Sequence, residues 1–62
     1  MLYSYRITFS FKDEYTKGRW KEQSCVIQAC DRETALNKCI EWYGLGEDCE
    51  YKIVSVENLG AN

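Results

Sequence analysis

The chain has 62 residues, 45% of them apolar and 15% aromatic, with a formal net charge of −2. That length supports one domain and no more, and folding buries only about 60% of the surface of so short a chain. The composition excludes a disordered segment and a transmembrane span, and the slight acidity argues against non-specific nucleic-acid binding.

The first element is read over residues 2–11, where large and small side chains alternate with the period of a strand. Tyr3, Tyr5, Ile7, Phe9 and Phe11 share one face, and Ser4, Arg6, Thr8 and Ser10 share the other. This opening has no basic segment followed by an apolar core, so it does not read as a signal peptide. The expected location is the cytoplasm, where thiols stay reduced.

Residues 12–18 form a polar loop, with Gly18 supplying positive φ. The second strand is expected over residues 19–29. Gln23, Cys25, Ile27 and Ala29 face one way, and Trp20, Glu22, Ser24 and Val26 the other. Its first half is polar on both sides and is expected to project beyond the core.

A helix is predicted over residues 32–43. Asp31 is the N-cap, and Glu33 sits at the positive end of the dipole. Ala35, Leu36, Cys39, Ile40 and Tyr43 make one apolar stripe, with Trp42 at its edge. Gly44 stops the helix, and Leu45 is placed for the hydrophobic contact of a Schellman motif. A third strand is expected over residues 51–57, rich in β-branched side chains, followed by a fraying tail over 58–62. The predicted fold is α+β, a β-β-α-β domain over residues 1–62 in which one helix packs on one face of a three-stranded antiparallel or mixed sheet.

Lengths then raise a question of coverage. The aromatic stripe spans roughly 27 Å at ~3.3 Å per residue, whereas a helix over 32–43 is only about 18 Å long at 1.5 Å per residue. Either loops fold back over one end of the stripe, or a second copy or another protein covers it. On the reverse face Leu2, Trp20, Val26 and one side of the third strand are expected to form a thinner apolar patch. Open sheet edges also invite pairing between subunits, so a homodimer is one expectation.

Catalytic chemistry is thinly represented. The chain contains no histidine, which removes the commonest general base and metal ligand. Glycine-rich phosphate loops are absent too. Cys25, Cys30, Cys39 and Cys49 lack the tight C-x2-C knuckles of structural zinc. Cys25 and Cys39 read as small core hydrophobes. Cys30, beside the helix N-terminus, is the thiol best placed for a lowered pKa, but it has neither a base nor a resolving cysteine at two-residue spacing. Glu47, Asp48 and Glu50 read as a solvated acidic loop without calcium-ligand spacing. The expectation is a non-enzyme with no cofactor and no metal.

Charge is unevenly spread. Residues 6–21 hold five basic and two acidic side chains, and residues 22–62 hold three basic and eight acidic ones. A basic hairpin beside Tyr3, Tyr5, Phe9 and Phe11 suggests base stacking. The RNA-recognition sequence signature is missing, however, and the helix needs the same aromatic face. Single-stranded nucleic-acid binding is therefore the alternative rather than the leading reading.

The segment EQSCVIQACDRETALNKC resembles a pattern found in many small bacterial and phage proteins of unknown function. In these a strand ends in alanine (here Ala29), an Asp or Ser caps the helix (Asp31), and an alanine opens the buried stripe (Ala35). In size and layout the chain is also similar to some anti-CRISPR and other phage-encoded inhibitor proteins. The resemblance implies a small binding protein of mobile-element origin and carries no functional residues. The function expected is protein–protein contact through Trp20, Arg19 and Tyr15 at the hairpin end, with Trp42 second, because interface hot spots favour Trp, Tyr and Arg. A purely structural homodimer is the remaining alternative.

Overall fold

The structure is a computed structural model that describes residues 1–47 and 49–61. Among these residues three antiparallel strands and one helix follow in the order β1 (Tyr3–Lys12), β2 (Lys21–Ala29), α1 (Arg32–Trp42) and β3 (Glu50–Ala61). The sheet order is β2-β1-β3, so the fold is the expected small α+β domain. The strand with the strongest alternation is the central one. Tyr5, Ile7 and Phe9 on its inner face are at most 6% exposed. They form the core with Ile27 and Ala29 of β2, Ala35 and Cys39 of α1, and Leu45.

Helix α1 begins where expected. The Asp31 carboxylate accepts the Thr34 N–H at 2.7 Å, relieving one of the unpaired donors of the first turn. It runs to Trp42, one residue short of the expected end, with Tyr43 as its C-cap, and Gly44 takes φ +64°. The Leu45 N–H donates to the Ile40 carbonyl at 2.9 Å and the Gly44 N–H to that of Glu41 at 3.3 Å, the bond pair of a Schellman motif. Leu45 is thereby folded into the core.

This turn answers the question of coverage. Helix α1 packs on β2 and β1, and beyond its C-terminus Leu45 and Cys49 fold back beside Phe9 and Phe11. Tyr43 joins them with its ring 5.1 Å from that of Phe9. The chain's own loop therefore covers one end of the stripe. At the other end Tyr3 is half-buried and packs edge-on to Tyr5 at 6.3 Å.

Two boundaries differ from the sequence reading by more than one residue. Strand β2 starts at Lys21 rather than residue 19, because Arg19 donates its N–H to the Thr16 carbonyl in the hairpin turn. Lys17 (φ +57°) shares the left-handed region with Gly18 (φ +77°) in that turn. Residues 58–61 do not fray. They continue β3, with Asn58 opposite Tyr5 and Ala61 opposite Tyr3. Asn58 and Gly60 are poor strand formers, but the exposed ladder groups of β1 pair with them and override local preference. Register shifts between Ser4 and Tyr5 and between Thr8 and Phe9 accommodate the extra residues of β3. The remaining tail position, Asn62, lies outside the described residues, as does Asp48 of the acidic loop.

The reverse face is polar along its centre line. Thr8 Oγ1 and Ser24 Oγ are 3.0 Å apart, and Arg6 pairs with Glu57 at 3.2 Å. Val26 and Glu57 lie opposite Arg6 from the two sides of β1, so at this level the ion pair, and no apolar contact, stands between Val26 and β3. Trp20 lies at the far end, near Lys12.

Candidate functional site: the hairpin end

Strand β1 runs into the hairpin loop, α1 ends beside Phe9, and β3 starts opposite Lys12. The hairpin loop, the helix C-terminus and the segment before β3 thus meet at one end of the molecule. All four side chains singled out from the sequence are there. They do not form a single cluster.

The hairpin loop is built by Asp13 and Thr16. Asp13 Oδ1 accepts the N–H groups of Tyr15 (2.8 Å) and Thr16 (3.0 Å). In return Thr16 Oγ1 accepts the Asp13 N–H and donates to the Asp13 carbonyl, each at 3.0 Å. Such side-chain bonds to nearby backbone fix a turn that Gly18 alone would leave loose. Thr16 is consequently buried, and its neighbour Tyr15 is turned out to 84% exposure. Tyr15, Thr16, Lys17, Arg19 and Lys21 line a shallow hollow of about 440 Å³. Of the three residues expected together at the hairpin end, Tyr15 and Arg19 share this hollow and Trp20 does not line it.

Trp20 points to the other side of this rim. Its ring lies 4.2 Å from Lys52 Nζ and 5.1 Å from Lys12 Nζ. Lys52 stands opposite Ser10, and Lys12 also belongs to the polar face of β1, so the indole lies across the outer surface of the sheet. Lys12 bonds Glu50 at 3.0 Å as well. Cation–aromatic contacts at exposed sites contribute about 0.5–1 kcal/mol each. They orient the ring while 43% of Trp20 remains exposed. Lys52 was not identified from the sequence. It comes from a distant strand, and only the β1–β3 register reveals it.

Trp42, 65% exposed, ends the helix and so belongs to the layer on the inner face, across the sheet from Trp20. Between the hairpin loop and β3, Lys12, Asp13, Gly18, Cys49 and Glu50 line a second hollow of about 360 Å³. Among the described residues no three His, Cys, Asp or Glu side chains are grouped to hold a metal ion.

The thiols differ in surroundings. Cys30 is exposed, 3.9 Å from both Asp31 Oδ2 and Thr34 Oγ1. Cys49 Sγ lies 3.8 Å from the Gly44 carbonyl. The Sγ atoms of Cys25 and Cys39 are 3.7 Å apart, which the sequence could not reveal. Burial, followed by the Cys25 thiol, pushes the Cys39 thiol up to about 12. The Tyr43 phenol is likewise raised, first by desolvation and then by Cys25.

No helix among the described residues is long and apolar enough to cross a membrane. Compared with protein-family models, curated protein sequences and solved structures, the chain matches none.

Proposed function

We propose that this chain is a small non-enzymatic binding module that engages a protein partner through its hairpin end. Trp20 is the anchor, Arg19 and Tyr15 are its flanking contacts, and Trp42 is a secondary contact on the opposite layer. The observation that carries the reading is the setting of Trp20. A large indole is held on a polar sheet face by two lysines and is still partly open to solvent, although the core is already filled by Tyr5, Ile7 and Phe9. A pre-oriented aromatic ring loses little entropy on docking, and aromatic and Arg side chains dominate interface energetics. A cytoplasmic accessory or inhibitor protein of phage type fits this size and layout.

Single-stranded nucleic acid remains the alternative occupant, supported by Lys17, Arg19 and Lys21 around the hollow beside Tyr15. It would have to use Tyr15 and Trp20, because Tyr5 and Phe9 are buried.

The test is capture of binding partners from a host lysate by the wild type, Trp20→Ala, Arg19→Ala and a distant Val26→Ala control, each first checked for folding by circular dichroism. The expected result is a protein whose affinity falls roughly 30-fold or more with Trp20→Ala, corresponding to a hot spot of about 2 kcal/mol, and holds with Val26→Ala. If Trp20→Ala and Arg19→Ala unfold the chain, these side chains are packing elements and the reading fails. A nucleic-acid ligand whose affinity drops steeply with added salt would replace it by the alternative.

A further inference from the structure

We propose that Cys25 and Cys39 are a reactive dithiol that a small disulfide oxidant closes into a bond tying β2 to α1. The two sulfurs are 3.7 Å apart, already in contact, and closing the bond requires an approach to about 2.05 Å. They meet because Cys25 sits on the inner face of β2, opposite Ile7, while Cys39 sits on the buried stripe of α1. Ile27 and Ala35, from the same two elements, belong to the same core. The packing that holds strand and helix together therefore also holds the thiols together. All four cysteines are free, but neither Cys30 nor Cys49 has another thiol among its sulfur contacts.

The two sulfurs have different access, which sets the order of events. Cys39 is fully buried, and burial and its partner keep it protonated. Cys25 is only half-buried and is the sulfur an oxidant can reach. Its thiolate attacks one sulfur of oxidised glutathione, forming a mixed disulfide and releasing one glutathione thiolate. Cys39 then attacks the Cys25 sulfur as it loses its proton, and the second glutathione leaves and takes up a proton, while the first picks up the one Cys25 had released. Two protein thiols lose two electrons and two protons in all, and one glutathione disulfide becomes two glutathione thiols. The bond closes the chain across the short loop between β2 and α1, which removes freedom from the unfolded ensemble. A domain this small gains proportionately from such a staple.

The experiment uses the full chain carrying Cys30→Ser and Cys49→Ser, incubated with graded ratios of oxidised to reduced glutathione. Free thiols are counted by alkylation and mass spectrometry, and wild type is run in parallel. The expected result is a monomer lighter by two hydrogens, with no alkylatable thiol. Its Tm should rise on the order of 10–20 °C and fall back on reduction. Cys25→Ala in the same background should leave Cys39 reduced. Thiols that stay free, a stable glutathione adduct on Cys25, disulfide-linked dimers, or a Tm that does not rise would each overturn the proposal.

Discussion

Asp31 illustrates how one side chain sets an element and makes it pH-sensitive. Hydrogen bonds from Thr34, its hydroxyl foremost and its backbone N–H next, hold the Asp31 carboxyl below its ordinary value of 3.8. The charged form is favoured in the folded state. Its stabilisation is therefore complete above the unfolded pKa and is lost as pH falls through the lowered folded pKa. Asp31→Asn keeps a capping oxygen but cannot titrate. The expected outcome is a shallower fall of Tm for Asp31→Asn than for wild type between about pH 5 and pH 2, read by far-ultraviolet circular dichroism. Identical slopes would mean that the carboxylate adds nothing. The cap was legible in the sequence because an Asp before a helical stripe has few other local uses. The cation pair under Trp20 was not, since Lys12 and Lys52 are forty positions apart and only strand register joins them.

At the scale of the elements, the turn after α1 matters most, because it brings Leu45 over the end of the aromatic stripe. Gly44 occupies the left-handed region, and a Cβ there would meet no atom within 4 Å. Substitution therefore costs backbone strain alone. Gly44→Ala is expected to destabilise by about 1 kcal/mol, lowering Tm by about 4–8 °C. Gly44→Asn should lose less, since asparagine tolerates this conformation. Equal Tm values for wild type and Gly44→Ala, measured by thermal denaturation, would show that the Schellman turn is not what holds Leu45 in place. Strand periodicity and helix stops were readable along the chain because each depends on neighbours in sequence. The length of β3 was not. Its last residues, among them Asn58 and Gly60, are held as strand by pairing with β1, a long-range contribution that local propensity does not contain.

The whole molecule is long and thin, 40 × 16 × 12 Å with a radius of gyration of 12.2 Å, against about 10.5 Å for a compact chain of this length. A shape this extended leaves β2 and β3 as open edges and asks whether a second copy closes one of them. Two features oppose pairing. The register shifts distort β3, and irregular edges are poor templates for a further strand. The exposed Arg6–Glu57 ion pair stands beside Val26 on the outer face, and a charged pair there would have to be desolvated by a copy docking on that face. The stripe that would have driven self-association is covered instead by α1 and the Leu45 turn. Sedimentation over a wide concentration range is therefore expected to return the 7.3 kDa monomer mass, at both low and high salt. A mass near twice that value would mean that an open edge pairs with a second copy despite these features. If Val54→Lys then returned the monomer, that edge would be β3, because a charge there opposes strand pairing. A monomer leaves the hairpin end, with Trp20 between Lys12 and Lys52 and Tyr15 turned out, as the surface where the proposed partner would dock.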